Sequence, residues 1–284
     1  MCRWLAYAGD PIFLEDVLVK PVHSLLRQSR FAEENIVVGN PVIPDGPFPS
    51  NDDGFGMGWY GERPFPGVYR DLRPAWNDYN YLSLAGQVKS GLFMAHMRAA
   101  YQGLVQRTNC HPFRYQNWLF QHNGEINDFL RIKRDIALAI APDLFPLIQG
   151  TTDTEYFFYL LLSFGLTEHP KTAVEKGIQF VENLRAQHHI SAPFTLTACL
   201  SDGQQLYAIR YASHGHQKSL YINNEQLLLA DADAGIKLPS NALVVVSEPL
   251  SKNRAAWDAI ADNSFLTVTQ TGGVKVERLY GVSL

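Results

Sequence analysis

Apolar positions open the chain almost without interruption. Residues 3–8 read Arg-Trp-Leu-Ala-Tyr-Ala, which predicts a short buried strand. Residues 14–29 have helical spacing but contain Pro21, so the helix there is broken or begins at that proline. Residues 39–53 are rich in Pro, Asn, Asp and Gly and predict a loop. Residues 54–60, Gly-Phe-Gly-Met-Gly-Trp-Tyr, predict a strand whose alternating glycines let another backbone or a ligand pass close by. A short helix is expected over 79–85, strands over 91–97 and 118–122, and helices over 129–140 and 153–164. Thr151 or Thr152 caps the last of these. Ala173, Val174, Ile178, Val181 and Leu184 place an apolar stripe on a further helix.

From Pro193 the pattern turns to strands. Residues 194–200 and 205–211 flank Ser201-Asp202-Gly203-Gln204, a hairpin signal. Strands over 220–222, 226–230, 242–247, 266–269 and 274–279 follow, with Gly272-Gly273 as a turn. No repeat, low-complexity segment or Ser/Gly linker interrupts the 284 residues, so one α+β domain over 1–284 is the simplest organisation.

Composition narrows the function classes. Hydrophobic residues make up 46% and charged residues 18%, as expected for a globular protein with a large core. The net charge of −4, with signs interspersed, gives no footprint for nucleic acid or an anionic membrane. The longest apolar stretch, around 156–162, falls far short of the roughly 20 residues of a membrane span. Asp10, Glu15 and Asp16 interrupt the first twenty residues, where a signal peptide needs an apolar core. Three cysteines, an odd number, argue against a disulfide framework and for a reducing, cytoplasmic setting.

Cys2 directly follows Met1. Removal of Met1 leaves a thiol and a free α-amine on one residue, a nucleophile beside its own base. A free cysteine has a pKa of about 8.5 and an α-amine one of roughly 7.7–8.0, so the neutral amine can take the thiol proton directly or through one water. A retained Met1 would acylate that amine. The plain alternative is a small apolar residue opening a strand.

Four later segments change that balance. His96-Met97-Arg98-Ala99-Ala100 ends a strand; Arg98 is either a solvated arginine or a guanidinium that can clamp a carboxylate. Asn109-Cys110-His111-Pro112 is either a structural turn or a site segment. Gln121-His122-Asn123-Gly124 is first a turn signal, and second a pair of oxyanion donors, the Asn123 amide and the Gly124 N–H. Thr151-Thr152-Asp153-Thr154-Glu155 caps a helix or presents Asp153 to an ammonium group. His96, His111 and His122 lack metal-ligand spacing, so no metal and no cofactor is expected. Cys199 reads as core, and Cys110 as either core or reactive.

Together, Cys2, His-x-Arg-x-Ala, Asn-x-His-Pro, His-Asn-Gly and Thr-Asp-Thr-Glu resemble the class II glutamine amidotransferases, which are N-terminal-nucleophile hydrolases. Cys2-Arg3-x-Leu5-Ala6, Asn51-Asp52-Asp53-Gly54-Phe55-Gly56-Met57-Gly58 and Val244-Val245-Val246-Ser247-Glu248-Pro249-Leu250 with Trp257 resemble the stand-alone YafJ-type subgroup, related to the γ-glutamyl hydrolase of ergothioneine biosynthesis. The resemblance implies a four-layer αββα sandwich of two antiparallel sheets. It implies Cys2 as nucleophile, Asn123 and Gly124 as oxyanion donors, Arg98 on the substrate α-carboxylate and Asp153 on its α-ammonium, with His111 in support. It further implies glutamate release, with ammonia or an amine, through a γ-glutamyl thioester.

Glucosamine-6-phosphate synthase, a member of that family, has Trp and Thr where this chain has Ala99 and Tyr101. The pocket or its lid is therefore expected to differ and to admit bulkier γ-substituents. No acceptor domain is expected within 1–284, so ammonia goes to water or to a separate synthase subunit; a homodimer is the expected assembly. The alternatives are a dedicated γ-glutamyl hydrolase of a thiol metabolite and a non-catalytic, glutamine-binding regulatory protein.

Overall fold

The computed structural model describes residues 2–34, 36–37, 46–47, 50–100, 104–215, 217–224 and 238–279. In chain order the elements are β1 (Arg3–Phe13), α1 (Glu15–Leu18), α2 (Leu25–Gln28), β2 (Ile36–Val37), β3 (Gly46–Pro47), β4 (Phe55–Trp59), β5 (Gly67–Asp71), α3 (Tyr79–Gln87) and β6 (Lys89–Met97). They continue with β7 (Phe113–Tyr115), β8 (Trp118–Ile126), α4 (Phe129–Ala139), α5 (Asp153–Ser163), α6 (Pro170–Gln187), β9 (Phe194–Ser201) and β10 (Gln205–Ala212). The last are β11 (Tyr221–Asn223), β12 (Leu243–Val246), β13 (Trp257–Ala259), β14 (Ser264–Thr269) and β15 (Val274–Arg278).

Two antiparallel sheets hold most of the strands. One runs β13-β11-β12-β1-β6-β4-β5 and the other β15-β14-β10-β9-β8-β7, with β2 and β3 as a separate pair. Burial sorts side chains into three apolar layers. Trp4, Ala6 and Ala8 of β1 meet Leu119, Cys199, Ala208 and Leu266 between the sheets. Leu5 and Tyr7, one residue out of phase, point to the other face, where Val17, Leu18 and Tyr81 of α1 and α3 cover them. Phe120, Leu196 and Ile209 of the second sheet face Ile132, Phe158 and Ile178 of α4, α5 and α6. A strand buried on both faces must be apolar at every position, which is why β1 reads as a run rather than an alternation. The result is the four-layer αββα sandwich, helices outside and sheets within.

Several elements depart from the sequence expectation. β1 extends to Phe13 through a register shift between Ala8 and Ile12. The helical pattern around Pro21 splits into α1 and α2, on either side of that proline. β8 does not end at His122: it runs to Ile126, with Asn123 opposite Thr197 and Gly124 opposite Leu196. The Asn-Gly pair is thus mid-strand, and the turn reading of it is overturned. β5, β7 and β13 carried no recognised pattern, being short and partly exposed. The strand expected over 226–230 lies outside the described residues, as does most of the loop expected over 39–53.

The alternating glycines of β4 do admit close neighbours. A Cβ on Gly56 would lie 2.1 Å from the His111 carbonyl oxygen and 3.0 Å from that of Tyr69. A Cβ on Gly58 would press on Leu119 and Pro112 side chains. Gly56→Ala must therefore move backbone, and overpacking of this kind costs about 1–3 kcal/mol. Nothing lies within 4 Å of a Cβ built on Gly61. Chemical denaturation should show Gly56→Ala destabilised by that amount and Gly61→Ala close to wild type; equal stabilities would refute the close approach.

Candidate active site

Strand pairing brings distant residues to one end of the sandwich. β1 pairs with β6 so that Arg3 faces Met97, which sets Cys2 beside Arg98 and Ala99. The Ala99 N–H points at Cys2 Sγ from 3.5 Å, and the thiol lies 3.8 Å from the Ala99 carbonyl oxygen. A cavity of about 340 Å³ opens there, lined by Cys2, Arg98, Ala99, His111, Gly124 and Asp153 among others. Five of the residues singled out from sequence thus share one cavity. Asn123 does not line it; this residue is buried on β8, on the face that Leu119 and Gln121 share by alternation. Gln121 Nε2 donates to the Leu5 carbonyl at 3.0 Å, so that face meets β1.

Arg98 is not a solvated arginine. It is 4% exposed, and among the described residues its guanidinium donates to the carbonyls of Asp53 and Leu104, each at 3.3 Å. Asp53 also receives the Ala100 N–H at 2.7 Å and donates its own N–H to the Arg98 carbonyl, so it shapes the turn that carries the arginine. Asp153 begins α5, where the Thr152 side chain caps the helix by accepting from the Glu155 N–H. Its two oxygens accept from the N–H groups of Ile126 at 2.8 Å and Thr154 at 2.7 Å. Placed at a helix N-terminus, the carboxylate is also favoured by the helix dipole.

Two buried side chains hold the walls. Asn109 is fully buried and fully paired: it accepts from Gln106 Nε2 and the Thr151 N–H, and donates to the Leu104 carbonyl and Thr151 Oγ1. Glu155 accepts from the N–H groups of Gln149 and Gly150. Burial raises its pKa against those bonds and against Arg70. Both residues stand in the quoted motifs, but their types alone gave no hint of these loop-bracing bonds. The same is true of Asp53 and Thr154.

Three buried histidines pack together here: His111 and His122 line the cavity, and His96 lies behind them. The rings of His96 and His111 lie 4.0 Å apart, centroid to centroid. His96 Nε2 donates to the His122 carbonyl at 3.0 Å, while both His111 nitrogens lack a hydrogen-bond partner among the described residues. Burial pushes His96 down to about 3, against the bond to His122 O and with help from Arg98. Burial also lowers His111, reinforced by the neighbouring histidines and arginines. Burial lowers His122 too, with Asp153 working the other way. His122 Nε2 lies 3.1 Å from the Thr195 carbonyl, which can only accept. That fixes the proton on Nε2 and leaves Nδ1 to accept from Thr154 Oγ1 at 3.0 Å. Gly124 fits here only because it has no side chain: a Cβ would lie 2.1 Å from Thr195 O and 2.3 Å from His122 Nε2.

Cys110 is buried, and burial pushes its thiol up to about 11, which removes it as a reactive group. Cys199 is core, as expected, and burial raises it further. Tyr101 lies outside the described residues. Among the described residues no group of three His, Cys, Asp or Glu side chains is placed to hold a metal ion, and no helix is long and apolar enough to cross a membrane.

Known proteins resemble this chain in sequence and in fold. The profile of the class-II glutamine amidotransferases matches residues 46–279. A probable glutamine amidotransferase of Saccharomyces cerevisiae is 30% identical, over 94% of this chain and 82% of its own. A gamma-glutamyl-hercynylcysteine sulfoxide hydrolase of Mycobacterium tuberculosis is 27% identical, over 96% and 94%. A solved class-II glutamine aminotransferase domain protein from Silicibacter pomeroyi superposes with a TM-score of 0.72 at 32% identity, covering 99% of this chain and all of that one.

The histidine cluster generates a pH prediction. Histidines kept neutral by the fold bind protons on unfolding, so their contribution is complete above the ordinary pKa near 6.5. It is lost as pH falls from there toward the depressed folded values, by on the order of 1 kcal/mol per pH unit for each histidine. Thermal melts from pH 7.5 to 5 should show Tm falling with acid, and His111→Phe should flatten the slope. An unchanged slope would mean that His111 is not held neutral.

Proposed function

The chain belongs to the class II glutamine amidotransferases and is an enzyme, and from that premise we propose that it hydrolyses γ-glutamyl amides through a thioester on Cys2. It falls in the YafJ-type subgroup of the family. Once Met1 is removed, the Cys2 α-amine takes the thiol proton and the thiolate attacks the γ-carbonyl. The Gly124 N–H stabilises the oxyanion from the cavity wall, and the Asn123 side chain, on the β8 face that meets β1, joins it by turning toward Cys2. Collapse expels ammonia or an amine, which receives the proton from the Cys2 ammonium, and water then releases glutamate from the thioester. Arg98 binds the α-carboxylate and Asp153 the α-ammonium, so remote charges hold the scissile carbonyl over the thiol. Residues 1–284 act in this reading as one amidotransferase domain without a synthase domain.

The observation that supports it is that Cys2, Arg98, Gly124 and Asp153, from four separate segments, line one cavity. A group larger than ammonia on the γ-nitrogen has support of its own. The same cavity is also lined by Ile126, Asp128, Phe129, Leu130 and Arg131, so its lining extends beyond Cys2, Arg98 and Asp153. Ala99, where the synthase has tryptophan, puts a small side chain in the cavity wall beside Cys2. The mycobacterial relative named as a γ-glutamyl hydrolase agrees with that reading.

Glutamate release from L-glutamine and from γ-glutamyl amides of larger amines tests both levels, using protein whose Met1 removal is verified by mass. Cys2→Ala should abolish release. Asn123→Ala should lower kcat by about 10²–10³-fold. Arg98→Ala should raise KM by roughly 10–100-fold, the value of a charge-assisted pair. Residual release by Cys2→Ala would sink the nucleophile assignment; faster turnover of L-glutamine than of any larger amide would sink the larger substituent.

A further inference from the structure

Glu248 lies outside the cavity, and its side chain is wholly buried. Four donors converge on its carboxylate: Arg3 Nε at 2.8 Å, His23 Nε2, and the N–H groups of Glu33 at 2.8 Å and Glu34 at 3.0 Å. Burial opposes the charge, but the His23 bond, the Arg3 guanidinium and the two amides together bring the carboxyl down to about 2. Arg3 is 1% exposed, and its Nη1 donates to the carbonyl of Cys2 at 3.0 Å. The next residues are gripped as well. Ser247 Oγ accepts from the Trp4 N–H at 2.9 Å, and the Ser247 N–H donates to the Trp4 carbonyl at 3.1 Å. Gln28 Nε2 reaches the carbonyls of Glu248 and Pro249, which ties this corner to α2.

We propose that Arg3 and Glu248 are positioning residues for Cys2, fixing its carbonyl so that thiol and amine face the cavity. The inference rests on the reading of Cys2 as nucleophile. A first residue has no preceding peptide plane to restrain it, so holding its carbonyl is one of the few ways to fix its orientation. Arg3 holds the carbonyl with one edge of a planar fork while Nε holds Glu248, and Glu248 in turn is immobilised by amides from another segment. A lysine has one nitrogen and cannot serve both acceptors with that geometry. The design joins residue 3 to residue 248, and Glu248 is not among the residues that line the cavity.

The test compares wild type, Arg3→Lys and Glu248→Gln, each with Met1 removed and folding checked by circular dichroism. Three readouts are taken: kcat and KM for L-glutamine, the same for γ-glutamyl-p-nitroanilide, and the rate of Cys2 alkylation by iodoacetamide. Arg3→Lys should lose kcat by about 10²-fold, the cost of a misplacement of roughly 1 Å, with KM little changed. Alkylation should slow several-fold in parallel. Should Arg3→Lys be unfolded, Glu248→Gln, which keeps volume and one acceptor oxygen, carries the test with the same readouts. Wild-type kcat in folded variants, or losses that only track the folded fraction, would overturn the proposal. Wild type inactive on both probes would instead count against the nucleophile reading, and the alkylation rates would still decide the positioning.

Discussion

The pairing of β1 is the interaction on which the other arrangements depend. This strand lies in the interior of the seven-stranded sheet, between β12 and β6, rather than at an edge. Its first residue therefore has a fixed neighbour on each side. The β6 register delivers Arg98 and Ala99 to Cys2, and the β12 register, with Leu5 opposite Val246, delivers Ser247 and Glu248 to Trp4 and Arg3. A central strand is buried on both faces and hydrogen-bonded on both edges, which makes it among the least mobile parts of a sheet. A reactive group at its end inherits that rigidity without any loop to order.

The second sheet contributes by a different route. β8 carries Gly124 at a point where no side chain fits, between Thr195 O and the His122 ring. His122 then leads through Thr154 to the start of α5, and Ile126 donates to Asp153 directly. The sheet end and the helix N-terminus are thus one hydrogen-bonded unit. Neutral histidines suit that role: they pack like aromatics against Phe113 and Phe120, and they add no charge next to Arg98.

Much of this was legible in the chain itself. Apolar runs located β1, β6, β9, β10 and α5, and the glycines of β4 announced that another backbone or a ligand passes close by, which for Gly56 is the backbone of His111. The motif set singled out Cys2, Arg98, Gly124 and Asp153 before any geometry. What stayed hidden shares a physical cause. Asn123-Gly124 has the local chemistry of a turn, and only pairing with β9 keeps it extended. Asp53, Asn109, Thr154 and Glu155 are common loop and cap residues. Their roles exist through partners 5 to 47 positions away, most of them across loops. Arg3 and Glu248 are 245 positions apart, and no local pattern links them.

Arg98 and Asp153 are prepared to different degrees. Asp153 has each oxygen already bonded to a backbone N–H at 2.7–2.8 Å, so its position is fixed whether or not a cation is near. Arg98 is nearly buried, and among the described residues its guanidinium makes two long bonds, both to neutral carbonyls. A carboxylate offers such a guanidinium a bidentate, charge-assisted partner. In the proposed reading the substrate carboxylate gains that pair at Arg98. Asp153, rigid and partly neutralised by its donors, contributes selectivity: it rejects acids without an α-ammonium more than it attracts those with one.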